Sequence, residues 1–192
     1  NVYTHLTVQV LREYGVARVR PNAEVSLQEM EILSREGGVE VEVLVHGKIP
    51  LGVTERCSLL TEAEEEDPKC PSACEEEHWL TTRQWVMKTV GKGVLSGRDM
   101  CMLEHLPRLL SSGFTVFKVE GLHETAAYRS EIGRVYREAL DLATSGNRYE
   151  IRPEWVAVLR RHSREGFCNG YYFGKTGRLY VGTVLQEGKP KV

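Results

Sequence analysis

A repeating helix–strand rhythm, broken once, constrains this chain more than any other feature. Apolar residues at helical spacing over residues 4–14 (Leu6, Val8, Val10, Leu11) predict a helix that stops at Gly15. The β-branched run 16–20 predicts a short strand ended by Pro21. Ser26 with Glu29 three residues on forms a capping box and opens a helix through Met30 and Leu33 to Gly37-Gly38. Val39, Val41, Val43 and Val45 alternate with Glu40, Glu42 and Leu44, which predicts a strand leading to His46-Gly47. After the interruption, strands are expected at 85–90 and 94–95, with a helix led in by residues 96–99 and bearing Met102, Leu103, Leu106, Leu109 and Leu110. A strand at 114–119 and helices at 125–143 and 153–162 follow. The segment from Cys168 onward is rich in Gly and Tyr and predicts turns or short strands.

The count is about four βα units. That suits a small open α/β sheet or half of a (β/α)8 barrel, which usually needs about 250 residues. The expected fold is α/β: the second half of a TIM-like barrel with a Cys-rich insertion and a short C-terminal extension. Residues 1–150 make the partial barrel, 47–83 the insertion, and 151–192 the C-terminal helix and Gly/Tyr-rich extension. The chain starts at Asn1 without a Met, so a fragment or processed product is expected.

The interruption at 47–83 carries three of the five cysteines, three prolines and the acidic run 62–67. A loop this long in a compact domain is functional or disordered, and bound metal would tie it down. Cys57, Cys70, Cys74 and Cys101 are candidate metal ligands. Zinc favours two close Cys pairs, and only Cys70 and Cys74 form one, so a 4Fe–4S cluster is preferred with zinc as the alternative. The competing reading is buried inert thiols, which suits Cys101 beside an apolar helix better than the other three.

Formal net charge is −2, which gives no global basic field for nucleic acid, and the acidic run repels phosphate. Arg160, Arg161, His162 and Arg164 make a separate basic patch, also explained as a helix C-terminal preference. No membrane span and no DNA partner are expected, and the clustered odd cysteine count points to a reducing, cytoplasmic compartment. His46 ends a strand where barrel active sites lie, as a general acid/base or a turn-capping histidine. Lys118 and Glu120 close a strand at the same face and complete the candidate catalytic set. A cysteine protease would need Cys57 or Cys101 paired with His46, His105 or His123, and no motif fixes such a pair.

Five short runs, in order, carry a resemblance: His46-Gly47, Arg56-Cys57, Arg98-Asp99-Met100-Cys101, Lys118-Val119-Glu120-Gly121 and Tyr136-Arg137-Glu138-Ala139. Together with Gly166-Phe167-Cys168 and Gly170-Tyr171 they resemble the collagenase-like peptidase family, peptidase family U32, over residues 1 to about 174. The resemblance implies a TIM-like barrel of which this chain supplies the later strands. It implies an enzyme of divided function. Some members are described as collagenases or other proteases. Others hold an iron–sulfur cluster and take part in oxygen-independent hydroxylation of RNA bases or quinone precursors.

By this resemblance Cys57, Cys70 and Cys74 match the cysteines after the His-Gly strand, and Cys101 that of an Asp-Leu-Cys-like motif. Pro50 stands where the family often has a cysteine, and Leu122 where it has an Arg. The implied partners are the missing N-terminal half or a partner subunit, with a protein, RNA or quinone-precursor substrate. The readings left open are a cluster-bearing hydroxylation enzyme, a metal-independent peptidase and a non-catalytic binding module.

Overall fold

The computed structural model describes residues 1–57, 59, 76–174 and 179–185. Helix α1 (His5–Glu13) is capped by Thr4 and leads to a short strand β1 (Arg18–Val19). Helix α2 (Leu27–Gly37) begins at the Ser26–Glu29 capping box, with both reciprocal hydrogen bonds made. It ends at Gly38, whose φ of 64° is the left-handed C-cap that glycine adopts without a Cβ penalty. Strand β2 (Glu40–Val53) follows, then β3 (His78–Thr81), β4 (Val86–Val90) and β5 (Gly93–Cys101). A 3₁₀ turn (Leu103–His105) leads into helix α3 (Leu106–Ser111), and then come β6 (Val116–Val119), α4 (Ala126–Thr144), α5 (Pro153–His162) and β7 (Phe167–Cys168).

Among the described residues the result is a mixed α/β fold built on one open sheet of seven strands. Strand β2 is its hub. Its first half runs parallel to β1 and β6, with Val41 opposite Val19 and Leu44 opposite Lys118. From His46 it instead pairs antiparallel with β5, which continues through β4 to the edge strand β3. Val41, Val43 and Val45 point into the core with Leu27, Met30 and Leu33 of α2 and Ile132, Val135 and Ala139 of α4. The other side of β2 carries Glu42 and Leu44, both only half-buried. Burying each of these aliphatic side chains contributes about 1.5–3 kcal/mol, so the valine alternation settles which face the helices cover. Strand β7 adds to β5 in parallel, and Trp155 of α5 donates its indole N–H to Glu138 of α4 at 2.8 Å.

Two expectations need correction. The expected short strand at 94–95 extends to Cys101, and the helix expected from residues 96–99 starts only at Leu106. The reason is β2: Asp99, Met100 and Cys101 pair with Lys48, Gly47 and His46, so backbone groups free for a helix are taken by the sheet. Pro107 then falls in the first turn of α3, where it needs no N–H donor. The second correction concerns the interruption. Residues 47–53 continue β2 and residues 78–81 form β3, so the break in the βα rhythm starts as an antiparallel meander. Pro50 is tolerated because the register shifts on both sides of it, between Lys48 and Pro50 and between Pro50 and Gly52. Among the described residues no helix is long and apolar enough to cross a membrane.

Candidate functional site

Where β2 changes partners, at His46 and Gly47, the chain gathers its buried polar groups. Gly47 has a φ of 118°, and a Cβ there would collide with the Glu120 carbonyl. Only glycine lets β2 pass this close to the end of β6. The amide of Glu120 donates to the His46 carbonyl at 2.8 Å, so the Lys118–Glu120 strand end is tied directly to His46, on the side the sequence suggested.

His46 is 1% exposed, and its Nδ1 lies 3.2 Å from the Tyr136 hydroxyl. That hydroxyl donates its one proton to the Val45 carbonyl at 2.8 Å. It therefore accepts from His46 Nδ1–H and from the Cys101 thiol at 3.4 Å. His46 is thus the Nδ1–H tautomer with a lone pair on Nε2. Burial, followed by the charges of Lys48 and His162, pushes its pKa down to about 3. Burial pushes the Cys101 thiol up to about 12, against the opposing hydrogen bonds to Tyr136 and Leu103. Both groups are therefore neutral near pH 7. Cys101 and His46 share one hydroxyl, yet moving a proton from the thiol to the imidazole is opposed at both ends.

Beside them lies a buried ion pair. Lys48 Nζ donates to Asp99 Oδ2 at 2.9 Å and to the Gly97 carbonyl at 2.8 Å, and the Ser163 hydroxyl donates to the same Asp99 oxygen at 2.9 Å. The sequence reading offered Asp99 only within a motif and missed Lys48. The signal was a lysine directly after Gly47, ahead of the apolar run Ile49-Pro50-Leu51. Removing one partner would strand the other charge in the core, at a cost of about 3–5 kcal/mol.

Lys118 and Glu120 form a half-buried ion pair at 2.8 Å, with Arg20 3.7 Å from the same carboxylate oxygen. Burial alone would raise the Glu120 pKa. The hydrogen bond and charge of Lys118, the Leu122 amide and Arg20 outweigh it and hold the carboxylate below its usual range. Glu120 is on the wall of a cleft of about 600 Å³ that Arg20, Glu42, Lys48, Ile49 and Tyr172 also line.

Among the described residues, the candidate ligands Cys57 and Cys101 are not gathered in the same way. Cys57 is half-buried with a free thiol, Cys101 is in the core, and Cys70 and Cys74 lie outside the described residues. Val53 pairs with Gly93 and His46 with Cys101, so Cys57 follows one end of β5 and Cys101 is its other end. A nine-residue strand spans roughly 26 Å, Thr54 lies beyond its start against Lys92, and the three steps from Thr54 to Cys57 recover at most about 10 Å. Cys57 and Cys101 are too far apart to bind one cluster in this arrangement. Among the described residues no three His, Cys, Asp or Glu side chains are grouped to hold a metal ion. With Cys70 and Cys74 outside the described residues, the described donors make up only part of any such site.

These features belong to a mixed α/β scaffold whose buried polar groups lie where β2 passes from parallel to antiparallel pairing. The chain is a member of peptidase family U32, whose family model matches residues 1–181. It is 28% identical to an uncharacterized protease of Methanocaldococcus jannaschii, over 90% of this chain and 45% of the relative. It is 23% identical to tRNA hydroxylation protein P of Escherichia coli, over 98% of this chain and 56% of that protein. It is 24% identical to a collagenase of Porphyromonas gingivalis, over 88% of this chain and 42% of the relative. The chain spans about half the length of the curated relatives it matches. No solved structure matches.

Proposed function

We propose that this chain is the later part of a TIM-like barrel enzyme that hydroxylates an RNA base without oxygen. The observation that carries the reading is the neutral, hydrogen-bonded state of His46 and Cys101. It takes away the nucleophile–base pair a metal-free peptidase would draw from this core. Two further features support it. The parallel run β1–β2–β6 has helices packed on one face and half-buried Glu42, Leu44 and Lys118 on the other, as expected of part of a barrel lumen. Relatives from several bacteria are named tRNA hydroxylation proteins.

A 4Fe–4S cluster would be held by Cys57, Cys70 and Cys74 and would supply the redox chemistry. Cys101 is left out of this ligand set because it stands at the far end of β5. His46 serves as a neutral hydrogen-bonding group, since its depressed pKa makes it a poor proton acceptor near pH 7. Glu120 and Arg20 orient a polar substrate in the cleft, with Lys118 paired to Glu120.

The test is purification without oxygen, followed by iron, sulfide and zinc determination, a visible spectrum, and mass spectrometry of tRNA nucleosides from cells lacking the protein. Bound iron and sulfide with loss of a hydroxylated nucleoside is expected. A colourless, metal-free protein that cleaves gelatin would overturn the proposal in favour of proteolysis.

A further inference from the structure

Residues 179–185 cross the turn between β5 and α3 as a strap, and one carboxylate holds most of it. Glu104 accepts from the Thr183 and Val184 amides at 2.9 Å, from the Leu185 amide at 3.1 Å and from the Tyr180 hydroxyl at 2.8 Å. Its neighbour His105 donates Nε2–H to the Val181 carbonyl at 2.6 Å. Asn169, just after β7, ties down the start of the strap: its amide donates to the Leu179 carbonyl, and its side-chain oxygen accepts from the Val181 amide. Within the strap only Leu185 is buried outright, at 1% exposed.

The same strap closes over the core thiol. Asn169 Nδ2 donates to the Cys101 carbonyl at 2.8 Å, so one side chain joins Cys101 to Val181. Tyr180 is within electrostatic reach of that thiol: burial, then Cys101 and Glu104, raises its pKa. The seat is tight, because a Cβ on Gly182 would lie 2.6 Å from the Tyr180 ring and 2.9 Å from both Glu104 oxygens. Yet the strap is held unlike the sheet beside it. Among the described residues its one backbone–backbone bond is that of Asn169 to Leu179, and the rest run to side chains. Four of them converge on Glu104, so removing that carboxylate removes all four together. Burial alone would raise the Glu104 pKa, but the Thr183 amide, the Tyr180 hydroxyl and the next two amides outweigh it and keep the carboxylate ionised. A segment with one apolar anchor and one polar lock belongs at the low end of local stability.

We infer that residues 179–185 are a latch, locked by Glu104, that decides whether Cys101 can react with solutes. With the latch shut the thiol is 0% exposed and burial pushes its pKa up to about 12, so it is both unreachable and protonated. With the latch open, water reaches the sulfur, its pKa returns towards the ordinary value of about 8.5, and a fraction of thiolate is present near neutrality. Opening therefore changes access and nucleophilicity in the same direction. The device works on Cys101 alone among the core thiols. Cys168 is as deeply buried, but it lies in the β7 ladder opposite Met100 and is released only when the sheet opens. The inference is independent of the hydroxylation reading and of whatever the other cysteines hold.

The test is the rate of iodoacetamide labelling of the native 192-residue chain at about pH 8, followed cysteine by cysteine with peptide mass spectrometry. The thiolate displaces iodide and forms a thioether, so each rate reads how often that sulfur meets water. Two variants loosen the latch without touching Cys101. Glu104→Gln keeps the shape but turns an NH₂ group towards donors, and Gly182→Ala puts a methyl against Tyr180 and Glu104. Each should speed Cys101 labelling by about tenfold or more, the worth of one or two net hydrogen bonds, and leave Cys168 unchanged. An unchanged Cys101 rate in both variants overturns the inference. So does an equal rise at Cys101 and Cys168, which would mark loosening of the whole fold instead of the strap. Labelling of Cys101 in the natural chain as fast as that of an unfolded thiol would overturn it too, since the latch would then close nothing.

Discussion

Acid should unfold this protein largely through His46. In the folded chain the imidazole is neutral with a pKa pushed down to about 3, whereas an unfolded histidine titrates near 6.5. The folded pKa is the lower one, so the unfolded chain takes up a proton first as the pH falls. The stability from keeping His46 neutral is complete above about pH 6.5 and is lost progressively down to about pH 3. At pH 4 the loss from this one residue comes to about 3 kcal/mol, a large share of the 5–15 kcal/mol that holds a typical domain. The assay is urea unfolding at pH 7 and pH 4 for the natural chain and His46→Asn. Asparagine keeps a donor near Nδ1 for the Tyr136 hydroxyl and does not titrate. Glu29, Glu104, Glu120 and Glu131, whose pKa values are all lowered, weaken both proteins equally and cancel in the comparison. The natural chain should lose about 3 kcal/mol more than the variant. An identical loss in the two would refute the buried neutral histidine.

Other outcomes follow from the same geometry. Cys101, pushed up to about 12, keeps its proton in the fold after the unfolded thiol has lost one, so stability should fall above about pH 9 and Cys101→Ala should flatten that limb of a denaturation–pH profile. Tyr136→Phe removes the hydroxyl shared by Val45, His46 and Cys101 and should cost about 2–4 kcal/mol, read as a melting temperature lower by roughly 5–15 °C. The Glu104 carboxylate accepts from the amides of Thr183, Val184 and Leu185 and from the Tyr180 hydroxyl, so Glu104→Ala should speed proteolytic cutting within residues 179–185 by about tenfold or more. In anaerobic preparations Cys57→Ser should lower the iron content sharply and Cys101→Ser should leave it unchanged, and equal losses would return Cys101 to the ligand set.

Local signals in the sequence were legible where one element decides its own shape. The Ser26–Glu29 capping box, the alternating valines of β2 and the Pro153 start of α5 each stand where their chemistry put them. What escaped was pairing at a distance. Nothing near residues 96–101 says that β2 will run on past Gly47 to meet them, and without that partner Met102, Leu103 and Leu106 look like the first turns of a helix. The same blind spot hid the site's buried ion pair. Lys48 and Asp99 are opposite one another in register, 51 residues apart in sequence, and only strand pairing identifies one as the other's counter-ion. Lys118 and Glu120 are readable as the polar end of an apolar strand, whereas His46, expected to end its strand, lies inside β2, which runs on to Val53.

The stems of the cysteine-bearing segment carry a further consequence. It leaves the sheet after Val53 and returns at His78, and Val53, Gly93, Val90 and the start of β3 line up along one end of the meander. Its two anchor points are therefore about three strand spacings apart, roughly 14 Å, whatever lies between them. Lengthening a tethered loop costs only about 0.6 kcal/mol per doubling. The length and composition of this segment can thus be rewritten with little effect on whether the scaffold folds. Such a socket lets the cysteine-bearing segment change on a separate clock from the sheet that carries it.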